Sequence, residues 1–192
     1  HVFDLAVDNS CNISTVPVMP AAASVLRDDV RLKFVGNELV GTGRITLTGY
    51  DRHNLTHYLR AVQPNKVNDV LRSVLMKGSN KFQLDSTHVE GLNDREAPLS
   101  ITYTFRLPDH MHRNGDRVYL PLTLSDPWKD LRFAEERVLP LEFPYEYERH
   151  YTVTLDLPEG AQWDGASSEL KMDINAASYS IMTNGDQRTI TT

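Results

Sequence analysis

Cysteine is almost absent from this chain: the 192 residues include one, Cys11. A single thiol cannot form an internal disulfide, and this usage fits cytoplasmic proteins and exported bacterial proteins equally well. The sequence also lacks any run of about 18 apolar residues, which excludes a membrane-spanning helix. Residues 1–3 show no basic segment leading into an apolar one, so no targeting signal is recognised there. We expect the chain to be a fragment of a longer protein.

Positive charge is in the minority. Twenty Lys and Arg residues face 26 Asp and Glu residues, which gives a net charge of −6 and an isoelectric point near 5.6. The densest basic stretch, residues 44–77, is interrupted by Asp51 and Asp69. Such a surface repels phosphate backbones, so nucleic acid is not an expected partner.

The rest of the composition is that of a globular protein, with 40% hydrophobic and 24% charged residues. A chain of this length buries roughly 70% of its unfolded surface, enough to fold without disulfides or metal. Pro17 and Pro20 suppress helix near the start of the chain. The sequence therefore predicts a connector from an upstream domain at residues 1–19 and one domain at residues 20–192.

Apolar residues recur with period two over most of the chain, which predicts strands. Leu99–Leu107 alternates without a fault, and Gly36-Asn37 predicts a hairpin turn between residues 30–34 and 39–50. Gly41 and Gly43, inside the second strand of that hairpin, indicate a bulge or a close backbone approach. Further strands are predicted at residues 118–122, 147–157, 170–174, 179–181 and 188–190.

A helical spacing of three to four replaces this alternation only in residues 52–77, where Pro64 divides two short helices. Asp51 or Asn54 is the expected N-cap of the first helix and Asn65 that of the second, with Gly78 just past the end. The predicted fold class is mainly β: an antiparallel β-sandwich with a short helical insertion at about residues 52–77.

No motif in the sequence predicts catalysis or a cofactor. The nucleophile elbow G-x-S-x-G is absent, and Cys11 lies in a polar stretch with no partner motif. His53 and His57 are spaced four apart, as are helical metal ligands, and His110 and His112 two apart, but neither pair has a further ligand adjacent in sequence. We predict solvated surface histidines, no metal and no catalytic residue in this chain.

The glycine-containing residues 41–44 and two acidic doublets do not indicate a functional site. Residues 41–44 lack the third glycine and the following helix of a phosphate-binding loop, which excludes dinucleotide binding. The doublets Asp28-Asp29 and Glu135-Glu136 are isolated, so we expect them on a solvated face.

Two tryptophans are the candidate binding residues. Trp128 and Trp163 both fall in predicted loops. Tryptophan exposed at the end of a β-sandwich is a common platform for sugars or partner proteins, although a ring folded over the core is commoner.

The order of short phrases along the chain points to a family. These phrases are the hairpin at Asn37–Gly41, Gly49-Tyr50 before the helical stretch, Pro98–Phe105, Gly115-Asp116 with Tyr119-Leu120, Leu141–Tyr145 and Tyr151–Gly160. Over residues 16–192 the series resembles the C-terminal β-sandwich domain of uncharacterised function in bacterial transglutaminase-like proteins. In those proteins the domain follows a papain-like transglutaminase core.

The resemblance implies a non-catalytic accessory domain of an exported protein, periplasmic or surface-associated. Its partner would be the upstream transglutaminase-like domain, on which it packs to help position substrate or partners. The family's Cys, His and Asp belong to that core; Phe3–Ala6 resembles its last strand, so Asp4 would be the remnant of the triad. Cys11 follows that Asp and is in the wrong order to be the nucleophile. The alternative is an independent module that binds carbohydrate or peptide through its loops.

Overall fold

The chain is organised around one large β-sheet. The structure, a computed structural model, describes residues 2–5, 11–14, 17–121, 124, 144–164, 168–174, 177–184 and 187–191. The strands are β1 Val2–Leu5, β2 Cys11–Ser14, β3 Val25–Val35, β4 Glu38–Leu47, β5 Gln83–Glu90, β6 Leu99–Leu107, β7 His112–Asn114, β8 Arg117–Tyr119, β9 Glu148–Asp156, β10 Ser168–Ile174, β11 Ala177–Asn184 and β12 Gln187–Thr191.

Eight strands form the large sheet, in the order β10-β11-β12-β9-β3-β4-β6-β5. The prediction of a mainly β fold with a helical insertion is confirmed. The prediction that every pair is antiparallel is wrong at one place, because β3 pairs with β9 in parallel from Val25↔Glu148 to Lys33↔Asp156. Alternating apolar and polar residues are typical of antiparallel sheets but do not fix the direction in which a later strand returns.

Two smaller, two-stranded sheets have hydrogen-bonded ladders of their own. β1 pairs with β2 and β7 pairs with β8, both antiparallel. β1 and β2 fall in the stretch for which the sequence predicts an extended connector, so part of that stretch is a hairpin. The β7–β8 hairpin turns at Gly115, whose φ of +63° is a left-handed conformation that suits glycine.

The helical insertion lies between β4 and β5. Helix α1 spans Gly49–Ala61, a 3-10 turn spans Pro64–Lys66, and helix α2 spans Val67–Leu75. The predicted range of 52–77 is confirmed. The predicted N-caps are wrong, since Thr48 precedes α1 and Lys66 precedes α2, and neither helix has a side-chain cap hydrogen bond.

The core lies between the sheet and these helices. On β6 the five inward residues, from Leu99 to Leu107, are buried, as the alternation predicts. They belong to one apolar cluster with the buried faces of α1 and α2, represented by Leu59 and Leu75. Aromatic contacts extend it, with the Phe82 and Phe105 ring centroids 5.2 Å apart.

Two glycines of β4 make room for aromatic rings of β6. Gly41 pairs with Phe105 and Gly43 with Tyr103 across the two strands. A Cβ at Gly41 would lie 2.1 Å from Phe105 Cζ, and a Cβ at Gly43 would lie 2.2 Å from Tyr103 Cζ. The predicted close approach is therefore confirmed: the outer ends of the rings lie against backbone that carries no side chain.

A buried ion pair crosses the core. Lys77 Nζ bonds Asp28 Oδ2, and the Tyr103 hydroxyl donates to Asp28 Oδ1 at 2.6 Å. All three side chains are buried, so the prediction that Asp28 lies on a solvated face is wrong, whereas Asp29 is exposed. Burial and the neighbouring Asp28 raise the pKa of Tyr103, which keeps the phenol protonated as a donor.

Most predicted strands are confirmed. β6 has the predicted bounds, Leu99–Leu107, and β9 falls within the predicted 147–157. β10, β11 and β12 cover the three strands predicted near the end of the chain. The predicted strand at 118–122 is shorter, because β8 ends at Tyr119. Among the described residues, no helix has the length and apolar character that crossing a membrane requires.

Candidate functional site

A cavity of about 1080 Å³ lies where β3 and β9 end. Its apolar surface includes the side chains of Phe34 on β3, Leu155 on β9 and Leu157 just after β9. The β7–β8 hairpin with its flanking residues and the segment after β9 supply most of the remaining lining, which mixes charged and polar side chains with apolar ones. An apolar lining with a polar rim is the usual composition of a ligand site.

Trp163, one of the two predicted binding residues, lines this cavity. Its ring is half-buried and packs against the apolar core, which agrees with the commoner structural interpretation. Its indole Nε1 is buried and has no hydrogen-bond partner, however. A buried indole N–H normally finds an acceptor, so this unpaired donor is unusual in a residue that lines the cavity.

The β7–β8 hairpin forms one wall. Tyr119 is 54% exposed and adds a second aromatic surface. Arg117 Nη1 lies 3.6 Å from Asp164 Oδ2, which joins the hairpin to the residue after Trp163. Both charged side chains are exposed, so this ion pair contributes little to stability and leaves the wall free to adjust.

His110, which also lines the cavity, is hydrogen-bonded to the segment that follows the β7–β8 hairpin. Its side chain is buried, and its Nε2 donates to the carbonyl oxygen of Pro121 at 3.1 Å. His112 is exposed on β7. The prediction of solvated surface histidines is therefore wrong for His110, which lies buried just before β7, and holds for His112, with which β7 begins.

The remaining predicted residues are dispersed. Trp128 and the doublet at 135–136 lie outside the described residues. Asp4 lies on β1 opposite Asn12, and Cys11 opens β2 opposite Leu5. His53 is exposed on α1, as predicted.

No metal centre is assembled in the described ranges. Within them, no three His, Cys, Asp or Glu side chains are close enough together to hold a metal ion. Two strongly perturbed groups are strand tyrosines: burial raises the pKa of Tyr151 to about 12, and the pKa of Tyr103 is raised as described above. Neither tyrosine lines the cavity, in which Trp163 and Tyr119 provide aromatic surface.

Sequence reasoning named Trp163 as a candidate binding residue but did not single out Tyr119 and His110, which line the same cavity. The only local signal for Tyr119 was its place on a predicted strand just after the Gly115-Asp116 turn. Its proximity to Trp163 depends on β9 ending beside the β7–β8 hairpin, which local sequence does not encode.

Comparison with known proteins gives one family. Residues 116–192 match the family described as a Domain of Unknown Function with solved-structure structure, DUF3858. The match includes β8, the strands from β9 to β12, and Trp163. No curated protein matches the chain.

Proposed function

We propose that this chain is a non-catalytic accessory domain of an exported bacterial transglutaminase-like protein, in the periplasm or at the cell surface. It packs on the papain-like catalytic core of the same polypeptide and helps to position substrate or partners. The order of phrases along residues 16–192 supports this proposal, and the match of residues 116–192 to a domain of unknown function is compatible with it.

The separate β1–β2 hairpin is the observation that carries the proposal. Its strands hydrogen-bond to each other and form a sheet distinct from the eight-stranded one. An isolated two-stranded hairpin is marginally stable in water, so it needs a surface to pack on. A hairpin that carries Asp4 and belongs to the edge of the catalytic core meets that need and would supply the acidic member of a triad.

Asp4→Asn tests this assignment in the full-length polypeptide. We expect amide-transfer or hydrolase activity to fall by about 10⁴-fold, as when the acidic member of a comparable triad is replaced by its amide. Asp69→Asn, which alters an exposed carboxylate on α2, is the matched control and should leave activity unchanged. The isolated 192-residue chain should be inactive; robust activity from it would refute the non-catalytic role.

The Trp163 cavity favours a second function, recognition of carbohydrate or peptide by an independent module. Trp163 and Tyr119 offer aromatic faces, and the unpartnered indole N–H offers a hydrogen bond. Aromatic stacking combined with a few fixed polar groups is how proteins commonly bind such ligands.

Trp163→Phe separates recognition from packing, because phenylalanine keeps an aromatic ring but removes the N–H. With soluble oligosaccharides and unstructured peptides as probes, we expect affinity to fall by about fivefold, the value of one neutral hydrogen bond. Tyr119→Ala should weaken binding further, while Tyr58→Ala, an equally exposed tyrosine on α1, should have no effect. Calorimetry that detects no binding, or equal binding by all variants, contradicts this second function.

A further inference from the structure

A second, smaller cavity lies on the exposed side of α1 and is strongly basic. Its volume is about 440 Å³. The lining consists of Arg52, His53, Thr56, His57, Arg60 and Arg95. No carboxylate is among these residues, although the chain as a whole has a net charge of −6. The positive charge is therefore concentrated locally against the overall charge of the protein.

The arginines are held in place without being neutralised. Arg52 Nε donates to the Ala97 carbonyl oxygen at 2.8 Å, and Arg60 Nη2 donates to the Leu92 carbonyl oxygen at 2.7 Å. Arg52 Nη2 also donates to the Asp94 carbonyl oxygen. Backbone carbonyls orient a guanidinium group but carry no net charge, so its attraction for an anion persists.

One acidic side chain of the facing loop is hydrogen-bonded to the backbone of that loop. Asp94 Oδ1 accepts from the backbone N–H groups of Glu96 and Ala97, at 3.0 and 3.3 Å. Over the part of the chain that the structure describes, no ion pair joins Arg52, Arg60 or Arg95 to a carboxylate. The cavity thus combines three guanidinium groups with two imidazoles that add charge when protonated.

Thr56 gives an independent sign of a ligand. This residue lines the cavity and is only 7% exposed, and its hydroxyl Oγ1 has no hydrogen-bond partner. Buried hydroxyl groups nearly always have a partner, and a threonine within a helix commonly uses the carbonyl one turn earlier. A hydroxyl left unpaired beside uncompensated arginines is a donor that a bound anion would satisfy.

We propose that this basic cavity binds a tetrahedral oxyanion of the phosphate or sulfate class, as the free ion or as an ester. Guanidinium groups present paired N–H donors that match the oxygens of such anions, and the Thr56 hydroxyl supplies a further donor. The volume exceeds that of a lone anion and leaves room for part of an ester's organic group. This site is distinct from the Trp163 cavity and from the β1–β2 hairpin, so its outcome is independent of the proposed accessory role.

Calorimetry on the 192-residue chain tests the proposal with inorganic phosphate, inorganic sulfate and phenyl phosphate as probes, and acetate as the reference anion. Arg95→Gln should weaken phosphate or sulfate binding by about tenfold, since a hydrogen bond to a charged group is lost. Thr56→Val, which is nearly isosteric, should weaken it by about fivefold. Arg27→Gln is the control: it removes the same charge at an exposed position of β3 and should change binding by less than about twofold.

Comparison of the probes identifies the source of the anion. Tighter binding of phenyl phosphate than of inorganic phosphate supports an ester ligand, and equal binding supports the free ion. The proposal is overturned if no tetrahedral anion binds, if acetate binds equally well, or if Arg27→Gln weakens binding as much as Arg95→Gln. Histidine ring resonances of His53 and His57 should shift on binding, and shifts confined to other histidines would also overturn it.

Discussion

Replacing Lys77 by methionine should lower the free energy of unfolding by about 3–5 kcal/mol, the usual cost of removing one member of a buried ion pair. The substitution keeps a long side chain but leaves the Asp28 carboxylate buried without its cation. For a chain of this size the melting temperature should fall by about 6–20 °C.

The size of this effect follows from where the pair lies. Asp28 and Lys77 are each 2% exposed, so neither can regain water without opening the core. Tyr103 remains as a donor to Asp28, but one neutral hydrogen bond does not offset the cost of a buried carboxylate. Lys33→Met, at an exposed position of β3, is the matched control and should change the free energy of unfolding by less than about 0.5 kcal/mol.

Removing the whole polar group should restore stability. The triple variant Asp28→Leu, Lys77→Met and Tyr103→Phe has no buried charge and no orphaned hydroxyl, so we expect it to be more stable than Lys77→Met alone. Denaturant unfolding measures all of these variants. A loss of less than about 1 kcal/mol for Lys77→Met, or a triple variant no more stable than the single one, would show that the pair is not buried as described.

Gly43→Ala should be the next most destabilising change, by about 3 kcal/mol, at the upper end of overpacking costs. Its Cβ would meet the Tyr103 ring, which cannot move aside because its hydroxyl holds buried Asp28. Gly41→Ala should behave similarly, since Phe105 is confined between Phe82 and Tyr103, with centroids 5.2 and 5.7 Å away.

Thr42→Ala is the control for these glycines. Thr42 lies between them on β4 but is exposed, so the change should cost less than about 0.5 kcal/mol. Combining Gly41→Ala with Phe105→Leu should cost at least about 1 kcal/mol less than the sum of the two single changes, because the smaller side chain frees the space that Cβ needs. Additive losses measured in this cycle would contradict the ring-over-glycine geometry.

The spacing of apolar residues predicted the strands and helices well. In a strand with one face on the core, burial alternates from residue to residue, and in a helix it recurs every three to four residues. Both ends of β6 were predicted correctly from its five inward apolar positions. Of the two interpretations offered for Gly41 and Gly43, a bulge or a close backbone approach, the structure shows the second. The parallel return of β9 beside β3 was not predictable, since strand pairing over more than 100 residues leaves no mark on either strand alone.

The candidate sites were harder to predict for the same reason. Asp28 shares the inward face of β3 with Val30 and Leu32, and this period-two placement signals burial, but its partner Lys77 lies 49 residues away. The basic cavity joins α1 to Arg95 on a loop after β5. Local sequence made Trp163 a candidate binding residue because a tryptophan in a loop is informative by itself, whereas scattered arginines are not.

The central claim, an accessory domain attached to a transglutaminase-like core, is tested most directly by determining the coding sequence for about 300 codons upstream of His1, about two domain lengths. The proposal predicts a Cys and then a His in transglutaminase order ahead of Asp4, behind an export signal. A reading frame that opens with a signal peptide immediately before His1 would contradict it and leave recognition at the Trp163 cavity as the function to pursue.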